Sequence, residues 1–357
     1  MLALDEAKKG LGRTSPNPPV GCVIFSSSGE VLAKGFHEKC GGAHAEIHAL
    51  NKIQDKSLLE GATVFVTLEP CAHEGRTGSC AKVLAEFPLA RVIYGMQDPN
   101  PKVSGQGAEI LKNSNIEVQC LENDTEFQSL QLPLKKLVEI FVHNMKLSSA
   151  FFALKVATSL DGQMALVSGE SQWITSESSR ERAQYMRGLY DAVMIGIGTF
   201  MSDDPKLNNR HPVFLNKTNK VVLYDPDFAC EEKLETSNLL KFRRPEDIFV
   251  VVRTKTKPKV GVRLIQEGSF EELGVQLFAE GIGSVFIEGG AGLFSQFLKG
   301  KNFQRLYNFI SPTLIGAGNG LCWTKGLQIE ELAQKIRFND LEFEIIENEI
   351  FVTGRLS

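Results

Sequence analysis

Residues 43–46 read Ala-His-Ala-Glu, and residues 67–80 read Thr-Leu-Glu-Pro-Cys-Ala-His-Glu-Gly-Arg-Thr-Gly-Ser-Cys. The run Ala62–Leu68 before Glu69 is β-branched and aromatic, has strand length, and ends at Pro70-Cys71. Ala45–Ile53 is amphipathic at helical spacing and carries His44 and Glu46 at its start, while Ala81–Phe87 reads as a helix beginning beside Cys80. One imidazole and two thiolates are a zinc donor set that leaves a fourth tetrahedral position open, as in catalytic sites. Water there falls towards a pKa of about 7, and a carboxylate two residues from the histidine is placed to shuttle its proton. Helix N-termini near Cys71 and Cys80 favour their thiolate forms. A closed structural site would need a fourth ligand, for which His73 stands nearest.

Outward from this pair the first third alternates. Strands are expected at Val20–Phe25, Val31–Phe36, Arg91–Met96 and Ile116–Cys120, with a helix at Ala108–Asn113 and another over Leu132–Leu147. The pattern then restarts with strands at Phe151–Thr158, Asp191–Ile197, Val221–Tyr224, Ile248–Val252 and Ser284–Ile287. Helices over Ser178–Leu189, capped by Ser176, and Ala291–Leu298 separate them, and strand-like runs at Phe343–Ile346 and Ile350–Val352 close the chain. Both halves are α/β, with a boundary placed at about residue 146, giving domains 1–146 and 147–357.

A length of 357 residues exceeds one ordinary core and fits two or three domains. A formal net charge of −4 gives no bulk attraction to nucleic acid or to anionic membranes, and neither partner is expected. No apolar run approaches the ~20 residues that span a bilayer. Asp5 and Glu6 stand where a signal peptide would continue its apolar stretch, so a cytoplasmic location is expected. The seven cysteines are scattered and odd in number, which is no disulfide framework and turns attention to the local pair Cys71 and Cys80.

The second half carries two glycine-containing turns, Gly196-Ile197-Gly198-Thr199 after a strand and Glu288-Gly289-Gly290-Ala291-Gly292 between strand and helix. Such turns fit either backbone cradles for phosphate or plain tight turns, and neither completes a dinucleotide fingerprint. Lys155 lies inside an apolar strand, where an unpaired ammonium is costly, which favours a pocket-facing role.

His44-Ala45-Glu46 with Pro70-Cys71 and Cys80 resembles the cytidine-deaminase-like superfamily, with eight residues between the cysteines in place of the usual two. The long spacing, with Gly75-Arg76-Thr77, Ser15–Val23 and Gln97-Asp98-Pro99-Asn100-Pro101, is similar to the deaminases of riboflavin biosynthesis. Leu154–Gly162, Ser168–Thr175, Asp203-Asp204-Pro205 and Glu288-Gly289-Gly290 resemble the reductase domain fused to them. The resemblance implies a cytidine-deaminase-like N-terminal domain followed by a dihydrofolate-reductase-like C-terminal domain. It further implies zinc on His44, Cys71 and Cys80, Glu46 as proton shuttle, and Asn17 positioning a pyrimidine. NADPH would meet Ala157, Trp173, Thr199, Asp203, Gly290, Ala291 and Gly292. A phosphorylated pyrimidine substrate would meet Ser171, Arg187, Leu207, Arg210 and Glu288, with Lys155 orienting it or delivering a proton. A guanidinium matches a ribose phosphate in bidentate geometry, although charged neighbours also fit Arg187 to a solvated helix face. A homo-oligomer is expected. Two alternatives stay open: a nucleoside or tRNA-base deaminase with an unrelated appended domain, and a zinc-stabilised binding module. The first helix looks shorter than the family's, and Arg210–Lys220 reads only as a polar loop.

Overall fold

A computed structural model describes residues 1–72, 78–100, 104–122, 124–254 and 256–357. The chain divides into two compact units, Met1–Ser148 and Ser149–Ser357.

The first unit is built on strands β1 (Gly21–Phe25), β2 (Val31–Phe36), β3 (Thr63–Val66), β4 (Arg91–Tyr94) and β5 (Glu117–Cys120). Their order is β2-β1-β3-β4-β5. β1 runs antiparallel to both its neighbours, whereas β3, β4 and β5 are parallel. The β1–β2 turn closes because Gly29 takes φ +85°, open to glycine at no steric cost, while the Ser26 hydroxyl accepts the Glu30 amide at 3.1 Å. Alternate residues supply opposite faces, as the strand period requires. Cys22, Ile24, Val64, Val66 and Val92 pack under helices Ala45–Leu50, Cys80–Ala85 and Gln106–Asn113. On the other side lie Leu4, Ala7, Leu134 and Leu137 from helices Leu2–Lys8 and Gln128–Leu137. A Cβ on Gly35 would stand 2.4 Å from the Ala45 carbonyl oxygen, so glycine there lets the helix that follows His44 lie directly on β2.

The expected helix over Leu132–Leu147 is two helices, Gln128–Leu137 and Glu139–Leu147. Val138 breaks them with φ −111° and ψ 11°. That break keeps Val138 buried in one cluster with Leu134 and Leu137. Tertiary burial overrides the continuous periodicity.

In chain order the second unit holds β6 (Phe151–Ser159), β7 (Gln163–Leu166), β8 (Ala192–Gly196), β9 (Lys220–Tyr224), β10 (Ile248–Val252), β11 (Arg263–Gln266), β12 (Ser284–Gly289), β13 (Arg305–Ser311), β14 (Gly320–Cys322), β15 (Phe338–Ile346) and β16 (Glu349–Leu356). The main sheet runs β11-β10-β9-β8-β12-β6-β13-β16-β15, and β7 pairs with β14 apart from it. Every contact from β11 to β13 is parallel, and the β13–β16 and β16–β15 contacts are antiparallel. Parallel strands covered on both faces read as continuous apolar runs, and Ile-Phe-Val-Val-Val of β10 is buried throughout. Its Phe249 and Val251 face one core with Met194 and Val222, while Val250 faces the other with Val193 and Val221. The Ser176 hydroxyl caps helix Glu177–Leu189 by accepting the Ser179 amide at 3.3 Å.

Candidate active sites

In the first unit three local signals converge. His44 is the extended N-cap of helix Ala45–Leu50, Cys71 follows the end of β3, and Cys80 opens helix Cys80–Ala85. His44 Nδ1 lies 3.5 Å from Cys71 Sγ and 3.3 Å from Cys80 Sγ, and the three donor atoms fall within 4.8 Å of one another. Among the described residues this is the one such cluster of histidine, cysteine and carboxylate donors. Two soft thiolates and an imidazole within reach of one ion fit zinc.

The surrounding groups tune the donors. The Cys80 backbone amide points at Cys71 Sγ from 3.4 Å, at the start of a helix. Hydrogen bonding to the Cys80 thiol, and then to His44, pulls the Cys71 thiol well below the ordinary range, whereas Cys80 is pushed up by that same bond and by burial. Glu46 is 3 % exposed, and burial, reinforced by the negative charge of Cys71, pushes its carboxyl up to about 7.

Two residues that the sequence reading did not single out support this arrangement. His37 is buried, its Nδ1 meets the Ala43 carbonyl oxygen at 2.9 Å, and its Nε2 lies 3.1 Å from Asn17 Nδ2. A ring donating to that carbonyl through Nδ1 must accept from the Asn17 amide through Nε2. Asn17 is therefore tied to the His44 turn through His37, whose ring stands 5.3 Å from the His44 ring. Glu69, two residues before Cys71, accepts the amides of Asp98 (3.3 Å), Gly105 (3.0 Å), Gly107 (3.1 Å) and Ala108 (3.3 Å). It thus caps helix Gln106–Asn113 from outside and fixes it to the strand end that bears Cys71. A Cβ on Gly107 would stand 1.9 Å from the Pro70 carbonyl oxygen, which measures how closely that helix is drawn in. His73, Gly75-Arg76-Thr77 and Pro101 lie outside the described residues.

Glu69→Gln should therefore destabilise the first unit. A carboxamide offers one accepting oxygen where the carboxylate offers two, and each buried amide left without an acceptor costs about 1–3 kcal/mol. A loss of about 2–6 kcal/mol is expected for the two amides. Urea unfolding followed by a probe in this unit measures it, and an unchanged midpoint would show the four bonds to be energetically idle.

In the second unit a cleft of about 870 Å³ opens at the sheet. It is lined by Lys155, Ala157, Ser171, Trp173, Arg187, Thr199, Asp203, Leu207, Arg210, Glu288, Gly290, Ala291 and Gly292, so every residue expected for this half reaches one cavity. β6, β12 and β8 are adjacent and parallel, which brings the turns after β8 and β12 side by side. Gly289 and Gly290 take φ +138° and +22°, conformations that favour glycine, and lead into helix Ala291–Gly300. A Cβ on Gly290 would stand 3.0 Å from Thr199 Oγ1. The two glycine turns thus make one narrow cradle beneath a helix N-terminus, which suits a phosphate-bearing nucleotide.

The charged groups are paired unequally. Arg187 forks onto Glu288 with contacts of 2.5 and 2.6 Å, and its Nη1 donates to the Asn208 carbonyl at 2.7 Å. Glu288 stays ionised: burial opposes its charge, but the Arg187, Lys155 and Arg210 charges outweigh that and hold its carboxyl below the usual range. The Arg210 guanidinium makes no hydrogen bond among the described residues and stands exposed. Arg180 lies over the Trp173 ring at 4.3 Å, a stacking partner that the charged helix pattern did not reveal.

The comparisons with known proteins divide along the same lines. The family described as "Cytidine and deoxycytidylate deaminase zinc-binding region" matches residues 1–96, and "RibD C-terminal domain" matches residues 150–352. The riboflavin biosynthesis protein RibD of Actinobacillus pleuropneumoniae is 34% identical over 365 residues, covering 98% of this chain and 92% of that one. The solved RibD of Acinetobacter baumannii superposes with a TM-score of 0.86 at 34% identity, covering 99% of this chain and 97% of that one. A Thermotoga maritima structure described as a diaminohydroxyphosphoribosylaminopyrimidine deaminase/5-amino-6-(5-phosphoribosylamino)uracil reductase superposes with a TM-score of 0.86 at 33% identity, with coverage of 99% and 97%. The expected folds are met: a cytidine-deaminase-like first unit and, in the second, the dihydrofolate-reductase-like domain of these reductases. With a relative above 30% identity matched along nearly its whole length, and a family match over most of the second half, the chain belongs to the RibD family of riboflavin biosynthesis.

Proposed function

We propose that this chain is a bifunctional enzyme of riboflavin biosynthesis, with the first domain (1–146) deaminating 2,5-diamino-6-(5-phosphoribosylamino)pyrimidin-4-one. The second (147–357) would then reduce the ribosyl group of 5-amino-6-(5-phosphoribosylamino)uracil to ribityl. The observation that carries the reading is the convergence of His44, Cys71 and Cys80 donor atoms within 4.8 Å. Zinc bound there supplies a water that is acidic enough to react at neutral pH. Glu46, buried beside the donors, holds the proton taken from water and passes it to the departing amine nitrogen, so that water adds and ammonia leaves. Asn17, with its amide nitrogen committed to His37, offers its carboxamide oxygen to the pyrimidine edge.

In the second domain NADPH supplies the hydride. Gly290, Ala291, Gly292 and Thr199 form the cradle for its phosphates, with Ala157, Trp173 and Asp203 completing the cofactor wall. Arg210, whose guanidinium makes no hydrogen bond among the described residues, takes the substrate phosphate, while Ser171, Leu207, Glu288 and the Arg187 fork shape the ribosyl subsite. Lys155 faces the same cavity as the orienting or proton-delivering group.

A coupled assay with the phosphorylated diaminopyrimidine tests the reading. Ammonia release should stop with a chelator, while NADPH oxidation continues on separately supplied deaminated substrate. Release of ammonia from free cytidine or from tRNA, and none from the pathway substrate, would replace this reading with the alternative deaminase one.

The protein is expected to act on small molecules without nucleic acid and to reside in the cytoplasm. No helix among the described residues is long and apolar enough to cross a membrane. A homo-oligomer is also proposed. Leu341, Phe343 and Ile345 alternate along edge strand β15 and so share a face, and Phe343 is 80 % exposed. A second copy would cover that face by isologous contact. Phe343→Asp should then convert the sedimenting species to monomer without loss of folding, and an unchanged mass would remove β15 from the interface.

A further inference from the structure

We propose that Arg243, with Asn238, is a positioning residue of the reductase half, holding the Asp203–Arg210 segment in the conformation that presents Leu207 and Arg210 to the cleft. The inference rests on reading that cleft as the reductase site. Arg243 does not line the cavity and is 7 % exposed. Its guanidinium makes no ion pair among the described residues and binds backbone instead. Nε donates to the Asn219 carbonyl at 2.9 Å, Nη1 to that of Lys206 at 2.5 Å, and Nη2 to that of Leu207 at 2.5 Å. Burial, and after it the nearby Arg187 charge, pushes its pKa down to about 10, which leaves it charged at neutral pH. A buried cation is tolerated only when its donors are satisfied, so the fork favours the one loop conformation in which these carbonyls converge.

The loop needs such a restraint. Asp204 and Leu207 have φ +39° and +48°, where residues with a Cβ are strained unless their surroundings over-determine them. The short segment Asn238–Arg243 grips both. The Asp204 carboxylate accepts the Asn238 amide at 2.9 Å, and the Asp204 carbonyl accepts Asn238 Nδ2 at 2.8 Å. Arg243 takes the other strained residue, at its carbonyl. Pro205 and Lys206, which separate the two strained residues, line the cavity, and the Lys206 carbonyl is itself held by Arg243. Asn219 extends the clamp, since its Nδ2 donates to the carbonyls of Arg187 (3.0 Å) and Tyr190 (2.7 Å) while its own carbonyl accepts Arg243. The loop is thereby tied to the helix end that supplies the Arg187–Glu288 fork.

The test compares full-length wild type, Arg243→Lys and Arg243→Ala by amide hydrogen exchange and by both activities. Exchange of the amides in 203–210 should quicken by about tenfold or more, with the β8 and β9 amides unchanged. The KM for the phosphorylated uracil substrate should rise about tenfold, more than kcat falls, with ammonia release held within about twofold of wild type. Ethylguanidinium at millimolar concentration should recover part of the KM in Arg243→Ala, which a loss of general stability would not allow. Unchanged exchange in 203–210, or an equal fall in both activities, overturns the proposal. Should Arg243→Ala fail to fold, Asn238→Ala carries the same exchange prediction for the Asp204 end. A wild type without NADPH turnover would sink the reductase reading and leave exchange to decide the clamp.

Discussion

Glu46→Gln is expected to keep its zinc and lose about 10³-fold of its ammonia-releasing turnover, within the range of 10²–10⁴ usual for a positioned general acid–base group. The substitution preserves shape and one accepting oxygen, so the His44, Cys71 and Cys80 donors keep their places. The carboxamide cannot hold the proton that must pass from water to the leaving amine. Stability separates this outcome from damage. Glu46 is 3 % exposed, and ionising a carboxylate there is opposed by burial and by Cys71. Removing that buried charge should leave the unfolding midpoint equal to wild type or above it, a trade between stability and activity common at catalytic sites. NADPH oxidation on the deaminated substrate should be unaffected. Metal content by elemental analysis and ammonia by a coupled assay decide the matter, and turnover retained at full zinc occupancy would remove Glu46 from the proton path.

How much of this was legible in the sequence depends on where each residue finds its partner. His44, Cys71 and Cys80 could be read because each marks a local event, a helix start or a strand end, and because their chemistry is specific when combined. Glu69 stood inside the same motif and passed unnoticed, since its partners are backbone amides contributed by residues 98–108. Backbone donors leave no trace in side-chain identity. The same holds for Arg243, whose three acceptors are carbonyls. In the second half the glycine turns alone did not distinguish phosphate cradles from ordinary turns; family resemblance named the residues, and the parallel β8–β12–β6 order explains why they meet. Strand β13, buried at alternate positions, was not anticipated because Arg305 and Asn308 interrupt its apolar signal. Helix Phe270–Ala279 was likewise missed, although Ser269 and Glu272 form a capping box that a search for helix starts would have found.

Lys155→Ala is expected to abolish most NADPH oxidation while sparing deamination in the same sample. Lys155 sits in β6 between the buried residues Leu154 and Val156, with its ammonium 5.8 Å from the Phe309 ring and no hydrogen bond among the described residues. Burial lowers its pKa, and the Glu288 carboxylate works against that shift. Truncation to alanine removes this desolvated charge and leaves Glu288 its bidentate partner Arg187, so no buried ion is orphaned. The unfolding midpoint should therefore hold or rise, and lost activity then reports on chemistry. A fall of about 10²-fold or more in kcat/KM is expected for either role. The two roles divide in the separate constants. An orienting ammonium lost from the ground state raises KM and leaves kcat largely recoverable at saturation, whereas a lost proton donor lowers kcat at nearly constant KM. Lys155→Gln sharpens the contrast, because an amide can still donate a hydrogen bond and cannot deliver a titratable proton. Near-wild-type oxidation by the glutamine variant would assign orientation, and equal loss in both variants would assign proton delivery. Undiminished oxidation in the alanine variant would remove Lys155 from the reaction altogether.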